Sequence, residues 1–393
     1  MNIRELSEKY DPYIIEQRRW FHQRPELSYQ EVETTRAIAR QLGDMGIPVS
    51  FFTDLQGCVG TLKGGAGEGP TVLLRADIDA LAVEEKTGLP FASRTPGRMH
   101  ACGHDAHISM LLGAAKILRE IKDSFRGTVK LFFQSGEETA VGAKKAVDQG
   151  LLKGIDATFG MHIWSQIEAP KLSYEIGERM ASCDTFTLKI LGASTHGSSP
   201  NLGRDAIVAA AACVLNLQTI ASRRNDPLNA LVVTVGTMNG GQRFNIVANE
   251  VSMDGTVRTF NRDFRMRVEG LVREIAEKTA EALGCRAELQ YNYLTGPVIN
   301  EDAELVGLVR GAVEKLYGAE NLVHYEKITG SEDFSYLMDG VRSVYGFIGA
   351  RSAEVPGSEL SNHHECFTVD ERALHCGAGV MAQFAVDFVN GGK

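Results

Sequence analysis

Two short apolar runs separated by an amphipathic segment constrain the fold of this chain more than any other feature. The runs are Thr71–Asp77 (TVLLRAD) and Thr128–Gln134 (TVKLFFQ), and residues 105–121 between them repeat apolar side chains at three- and four-residue steps, as a helix does. Asp105 stands where an acid favours the dipole of a helix N-terminus. A strand, a helix and a strand in this order predict a parallel βαβ unit and hence an α/β fold.

Other segments extend this sheet and close the chain. Apolar runs at 157–162 and 343–349 predict two more core strands. Residues 368–390 predict a closing helix, with a capping box formed by Thr368 and Glu371.

The middle of the chain follows a different pattern. Residues 184–191 alternate apolar and polar side chains, as a half-buried strand does. The order βαββαβ that results is that of a ferredoxin-like sandwich, with its later elements at 204–224, 231–238, 251–260, 264–283 and 286–293. We therefore predict a mainly parallel-sheet catalytic domain of residues 1–178 and 294–393, with an inserted ferredoxin-like domain of residues 179–293.

Composition narrows the class of partner. The net charge of -9 argues against nucleic acid, because proteins that bind a phosphate backbone concentrate Lys and Arg. No signal peptide and no apolar run of bilayer-spanning length is recognisable, so we expect no membrane partner. The same charge favours a small molecule as the partner. Seven scattered cysteines predict free thiols in a reducing compartment, and with no recognisable signal peptide we expect a cytoplasmic protein.

Polar residues gather where the predicted strands end, which is where ligands bind to an open parallel sheet. Asp77 and Asp79 follow the first strand, Glu137 and Glu138 follow the second, and His162 ends the third. Two clusters accompany them, at 100–107 (HACGHDAH) and at 362–366 (NHHEC).

The pair Cys102 and His104 is the most specific of these signals, because a thiol and an imidazole separated by one glycine suit a metal and have little structural use. Glu137 and Glu138 offer one carboxylate for a metal and one for base catalysis. Taken alone, a histidine such as His162 is more often structural than a ligand, and Asp79 is equally consistent with a turn residue. We interpret four further residues as supporting or structural groups: His100, His107, His364 and Cys366.

These motifs resemble the metal-dependent amidohydrolases of the carboxypeptidase G and aminoacylase family. The resemblance is to the branch with hippurate hydrolase, N-acyl-amino-acid deacylases and plant auxin-conjugate hydrolases, which has Cys-Gly-His where the peptidase branch has a bridging Asp. It spans nearly the whole chain and is carried by residues 75–81, 99–107, 136–138, 160–162, 330–334 and the His363 region.

The resemblance implies a two-metal hydrolase that cleaves the amide of N-acyl amino acids. It implies Glu137 as general base and two divalent ions, for which imidazole, thiolate and carboxylate permit Zn, Mn, Co or Ni. The implied ligands are Cys102, His104, Glu138, His162 and His363.

The chain departs from the family pattern at three positions. The His-x-Asp of the peptidase branch is here Arg75-Ala-Asp77, so His104 replaces that His ligand and Asp77 supports the ligands. Glu365 stands where a Pro usually follows the last ligand, which leaves His363 and His364 as alternatives. The small-domain motif keeps His196 but has Asn201 in place of its second His.

The inserted domain completes the implied site. His196 would stabilise the oxyanion in the partner subunit's site, which makes the protein a homodimer, possibly a tetramer. Asn245, Arg258 and Gly330 match the positions that hold the alpha-carboxylate of the substrate, and a guanidinium suits that planar anion.

Two alternatives to a deacylase remain open at this point. The first is a dipeptidase or carboxypeptidase of the same family. The second is a non-catalytic metal-binding dimeric scaffold, against which the retention of Glu137 and of the ligand set argues.

Overall fold

The computed structural model describes residues 2–391, which form two compact units. The first unit contains the chain up to Arg179, Ile299–Glu326 and the chain from Asp333 onward. The second unit contains Met180–Val298 and Lys327–Glu332. No sequence pattern marks Lys327–Glu332, because this segment lacks regular secondary structure and hence a hydrophobic period.

A seven-stranded sheet forms the centre of the first unit. Its strands lie in the order β1-β2-β4-β3-β5-β13-β6, and the four central strands, from β4 to β13, are mutually parallel. The predicted α/β class with a large, mostly parallel sheet is therefore confirmed. The strands are β1 (Val49–Phe51), β2 (Gly57–Lys63), β3 (Thr71–Asp77), β4 (Thr128–Gln134), β5 (Ala157–Glu168), β6 (Leu172–Ser173) and β13 (Arg342–Arg351).

Helices cover this sheet, and three of them build one core. Helix α3 packs against α1, α8 and strand β3, so nearly all of its side chains are buried. Helix α1 begins with a capping box between Asn2 and Glu5. The helices of the first unit are α1 (Ile3–His22), α2 (Val32–Asp44), α3 (His104–Glu120), α4 (Gly142–Asp148), α7 (Ala303–Tyr317) and α8 (Arg372–Val389).

Two sequence-based boundaries are wrong. Strand β5 does not end at His162 but continues to Glu168, because residues 163–168 alternate buried and more exposed side chains and the strand stays paired with β13. Helix α8 begins at Arg372, without the predicted capping box. The Thr368 hydroxyl instead accepts a hydrogen bond from Arg18 at 3.4 Å.

The second unit has the predicted ferredoxin-like order. Its antiparallel sheet runs β11-β8-β10-β9, and helices α5 and α6 pack against it. These elements are β8 (Asp184–Leu191), α5 (Ala206–Thr219), β9 (Leu231–Gly240), β10 (Glu250–Thr259), α6 (Arg262–Ala282) and β11 (Arg286–Tyr293). Two short strands, β7 (Gly177–Met180) and β12 (Val298–Asn300), lie near the ends of this segment.

One helical stretch, Ala206–Arg224, is long and apolar enough to cross a bilayer by length and composition alone. A single stretch of this kind is weak evidence for a span. In the structure it consists of α5 and a following π-helical turn, and its buried side chains belong to the core of the second unit.

A buried ionic cluster fixes the start of α3 to α1. Asp105 accepts a hydrogen bond from Arg18 Nε at 3.1 Å, and one of its oxygens lies 2.9 Å from His22 Nδ1. Burial raises the pKa of Asp105, but Arg18 and His22 outweigh burial and hold it well below its usual range. The carboxylate is therefore charged in the fold.

We expect Asp105→Ala to lower the free energy of unfolding by about 3–5 kcal/mol, because it removes one partner of a buried charge cluster. Denaturant titration of the metal-free protein measures this, since bound metal would add its own stabilisation. The matched control is Glu8→Ala, which breaks an ion pair with Arg4 whose side chains are 53% and 57% exposed and should change the free energy of unfolding far less. Equal losses in the two variants would show that Glu371, which also pairs with Arg18, is sufficient to stabilise the buried Arg18 without Asp105.

Candidate metal centre

Three connecting segments and one strand of the first unit bring the predicted metal ligands together. Cys102 and His104 lie at the start of α3, and Glu138 lies in a short 3-10 turn after β4. His162 projects from β5, and His363 lies in the loop before α8. Because β3, β4 and β5 are parallel, these groups meet where β3 and β4 end, while β5 continues past His162.

Each of these five side chains lies within contact distance of at least one other. The Cys102 sulfur lies 3.3 Å from His162 Nε2 and 3.3 Å from His363 Nε2. Glu138 Oε1 lies 3.4 Å from His363 Nε2 and 4.0 Å from His104 Nε2. Their potential ligand atoms form overlapping groups in which all atoms lie within 4.8 Å of one another.

Gly103 allows Cys102 and His104 to face the same point. Its φ of 92° lies in the left-handed region, and a Cβ atom there would come within 2.6 Å of the Ile163 side chain. Any other residue would therefore be strained and would collide with β5.

In two of the histidines, a hydrogen bond at Nδ1 fixes the direction in which the other ring nitrogen, Nε2, points. His104 Nδ1 lies 2.9 Å from the carbonyl oxygen of Asp79, and His162 Nδ1 lies 2.6 Å from that of Ile163. A carbonyl accepts only, so each Nδ1 carries a proton and Nε2 is the ring nitrogen that remains to bind a metal. This is how proteins orient imidazoles that bind a metal.

The residues present fit a transition metal. His104 Nε2 and Glu138 Oε1 are buried, and neither has a hydrogen-bond partner among the described residues. Leaving such atoms unsatisfied is costly, and both point toward the same cluster of donors. Thiolate, imidazole and carboxylate together suit Zn, Mn, Co or Ni better than Mg or Ca.

Charge around the cluster is strongly coupled. Cys102 and Glu138, which both lie close to His363 Nε2, raise the pKa of His363 to about 10. Burial and the neighbouring Glu138 raise the pKa of the Cys102 thiol. A divalent ion bound here would replace the protons of these two groups.

Asp77 is a buried carboxylate that contacts residues next to the predicted ligands. Burial raises its pKa, but Arg75, His104 and His107 outweigh burial and keep the carboxylate charged. One oxygen accepts a hydrogen bond from Arg75 at 2.7 Å, and the other contacts His107 Nδ1. His107 Nε2 in turn accepts the backbone N–H of Ile163 at 2.8 Å, so both of its nitrogens are used within the protein.

Glu137 stands beside Glu138 but has different surroundings. Its Oε1 accepts a hydrogen bond of 3.4 Å from the backbone N–H of Asp333. The Asp333 carboxylate is fixed by Gln134 Nε2 at 2.7 Å and by the backbone N–H of Ala143 at 2.8 Å. Glu137 is therefore held next to the ligands by a rigid buried segment.

The geometry distinguishes the two alternative histidines of the last loop. His363 faces Cys102 and Glu138, and its positive φ of 75° is one that non-glycine residues seldom adopt. His364 Nδ1 instead accepts the backbone N–H of Cys366 at 3.0 Å. Of the two, only His363 is in contact with the other predicted ligands.

The remaining predicted site residues lie in the second unit. His196 is exposed, and its Nδ1 accepts the backbone N–H of Ser198 at 3.1 Å. The backbone of Asn245 pairs with that of Gly197, so His196 and Asn245 are close neighbours. Arg258 donates a hydrogen bond to Ser331 at 2.7 Å, next to Gly330.

Several supporting residues were not predicted. Glu31 is buried beneath the turn that carries Glu137, where it accepts hydrogen bonds from Ser135 Oγ and the backbone N–H of Gly136. Burial and the nearby Asp79 raise the pKa of Glu31 to about 7. The position of Asp79 after a strand could have indicated its place in the site. Glu31 and Asp333 could not be recognised, because only the folded chain brings them next to the motifs.

Comparison with known proteins agrees with this geometry. The model of peptidase family M20/M25/M40 matches residues 73–387. N-acetyl-L-cysteine deacetylase of Bacillus subtilis (strain 168) is 39% identical to this chain, over 92% of this chain and 84% of that protein. IAA-amino acid hydrolase ILR1-like 4 of Arabidopsis thaliana is 35% identical, over 96% and 86%.

A solved structure adds the fold and the type of centre. The Bacillus subtilis YXEP protein, described as a dinuclear metal binding peptidase from the M20 family, superposes with a TM-score of 0.85 at 33% identity. The alignment covers 97% of this chain and 99% of that one. The matched segment of the family model includes all five predicted ligands and Glu137. This chain therefore belongs to peptidase family M20/M25/M40 and is a metal-dependent hydrolase of amide bonds.

Proposed function

We propose that this protein hydrolyses N-acyl amino acids to a carboxylic acid and a free amino acid. The observation that carries the proposal is the meeting of Cys102, His104 and Glu138 next to Glu137, because hydrolysis at a metal centre needs ligands and an adjacent base. Two relatives support this substrate class, since one is named as a deacetylase of N-acetyl-L-cysteine and the other as a hydrolase of IAA-amino acids.

Two divalent metal ions are proposed as the cofactor. The cluster of overlapping ligand groups supports two ions, and Cys102 belongs to groups that include His162 and His363. When bound, the ions supply Lewis acidity that lowers the pKa of water and polarises the amide carbonyl. The proposed ligands are Cys102, His104, Glu138, His162 and His363.

Glu137 is proposed as the general base. It takes a proton from the attacking water and later gives a proton to the leaving amine. The hydrogen bond from Asp333 to Glu137 Oε1 supports this role, because it holds the carboxylate beside the ligands. Asp77 is proposed to act indirectly, by fixing the orientation of His107 and, through it, of β5.

The second unit is proposed to bind the amino-acid part of the substrate. Arg258 would pair with the alpha-carboxylate, with Asn245 and Gly330 at the same end. His196 would donate a hydrogen bond to the oxyanion. Its Nδ1 accepts a backbone N–H, which in the neutral ring assigns the proton to Nε2 and makes that nitrogen a donor.

A homodimer is proposed, with His196 serving the site of the partner. Strand β9 is an edge of the antiparallel sheet and therefore has one unpaired side. Apolar side chains on this strand and just after it are exposed, including Met238 at 42% and Phe244 at 97%. A second copy that covers this face would bury them.

A cytoplasmic location is proposed because all seven cysteines are free thiols.

We expect thiol reagents to spare Cys102 while metal is bound and to label it after chelation, because coordination to a cation lowers the nucleophilicity of the thiolate and blocks access to it. Mass spectrometry of peptides after alkylation measures this. Cys366 is the internal control, since it is the most exposed of the seven cysteines and should react at similar rates in both states. Equally fast labelling of Cys102 with and without metal would contradict its role as a ligand.

The proposed function is tested by metal analysis beside a panel of acetyl-, benzoyl- and indoleacetyl-amino acids and of dipeptides. We expect bound metal and hydrolysis of at least one N-acyl amino acid. Cleavage of dipeptides alone would identify a peptidase. If the metal-loaded protein cleaved none of these substrates, the non-catalytic metal-binding scaffold would be the remaining interpretation.

A further inference from the structure

Trp164 lies next to the candidate metal centre. Side chains two positions apart on a strand point to the same face of the sheet, so Trp164 follows His162 on one side of β5. The two rings meet edge to face, with their centroids 5.6 Å apart. His162 is buried, whereas Trp164 is partly exposed. An indole ring therefore borders the site toward the carboxyl end of β5.

The polar edge of this indole is already used within the protein. Trp164 Nε1 donates a hydrogen bond to the Tyr325 hydroxyl at 2.7 Å, and that hydroxyl donates to Gln166 Oε1 at 2.6 Å. Phe347 packs against the indole with centroids 5.4 Å apart. What Trp164 presents to a ligand is therefore a supported, apolar aromatic surface.

The strand that carries Trp164 is tied to the ligand loop. The Asn362 amide nitrogen donates to the carbonyl oxygens of Cys102 at 2.9 Å and Ile163 at 3.3 Å. Its oxygen accepts the backbone N–H of Ser165 at 3.4 Å. Trp164 is thus held between two anchored residues, at a fixed place relative to the ligands.

We propose that Trp164 forms the wall of the acyl subsite and makes the enzyme selective for flat aromatic acyl groups. The inference rests on the proposed function and names the substrate class of that site. When the scissile carbonyl lies at the ligands, its substituent extends past His162. An aromatic ring there would pack on the indole in an offset or edge-to-face arrangement, which a methyl group is too small to do.

The first test compares three substrates that differ only in the acyl group: N-benzoyl-, N-cyclohexanecarbonyl- and N-acetyl-L-alanine. We expect the wild type to prefer benzoyl, and Trp164→Leu to lower the benzoyl-to-acetyl ratio of kcat/KM about threefold to tenfold. Trp164→Phe should retain most of the ratio. Trp20→Leu is the matched control, because it makes the same change at the only other tryptophan of the sequence, in α1.

The second test measures binding without turnover. In the variant Trp20→Phe, Trp164 is the only indole, so its fluorescence reports directly on the subsite. We expect benzoate to change the emission in a saturable manner and acetate to leave it unchanged. An emission that does not respond to benzoate would overturn the proposal.

The outcomes separate the two proposals. Hydrolysis with the same benzoyl-to-acetyl ratio in wild type and Trp164→Leu would refute the subsite but leave the function intact. If N-cyclohexanecarbonyl-L-alanine were hydrolysed as efficiently as N-benzoyl-L-alanine, selectivity for flat groups would be refuted. Absence of hydrolysis together with benzoate binding at Trp164 would refute the function and keep the aromatic subsite.

Discussion

Replacing Glu137 with glutamine is expected to lower kcat by about a hundredfold to ten-thousandfold while the protein keeps its metal content. The amide keeps the shape of the side chain and can still accept the N–H of Asp333, but it cannot take a proton from water. Because Glu137 is proposed to act on the water rather than on the metal, the loss should appear in kcat. Steady-state kinetics and elemental analysis of the same preparation measure both quantities.

Glu138→Gln is the matched variant, since it makes the same change one residue along the same turn. Glu138 Oε1 is buried among His104 and His363, so we expect this variant to lose metal and to regain part of its activity at high metal concentration. Equal metal loss in the two variants would mean that the two carboxylates have been assigned the wrong way round.

Local pattern was sufficient for much of the fold. The predicted strands 71–77, 128–134, 184–191 and 286–293 coincide with β3, β4, β8 and β11, because each is a short run bounded by polar residues or alternates at period two. Strand β5 was cut short at His162, although residues 163–168 also alternate. The capping box was wrong because a tertiary contact with Arg18 takes the Thr368 hydroxyl.

The candidate site was predictable to the extent that its chemistry is local. The spacing of Cys102 and His104 indicates a metal without any knowledge of the fold. Residues that orient the ligands and the proposed base have no local sequence signal, because each is far in sequence from the residue that it holds. Asn362 fixes Cys102, and Asp333 fixes Glu137. The assignment of roles to His196 and Arg258 depended on resemblance alone.

His196→Ala is expected to lower kcat by about a hundredfold to a thousandfold, because it removes one hydrogen-bond donor to the oxyanion. The exposed position of His196 means that the fold itself should be unaffected, and an unchanged unfolding transition is the control. Metal content should also stay constant, because His196 is not among the proposed ligands. A variant with wild-type kcat would exclude an oxyanion role.

Mixing this variant with Glu137→Gln tests whether the site is shared between subunits. If His196 serves its own subunit, each chain of a mixed dimer lacks one essential group, and the mixture stays inactive. If it serves the partner, one site of each mixed dimer combines an intact Glu137 with an intact His196. Random exchange should then restore about a quarter of the wild-type activity, because about half of the dimers are mixed and each has one of two sites whole.

The double variant Glu137→Gln/His196→Ala provides the control for this experiment. Mixed with either single variant it cannot form a complete site in any arrangement, so activity that appears in those mixtures would come from contamination. Subunit exchange is verified by the mass of the mixed dimer. Exchange that is complete by mass, without recovery of activity above the two parents, would assign His196 to its own subunit or exclude it from the reaction, and the loss expected for His196→Ala decides between these.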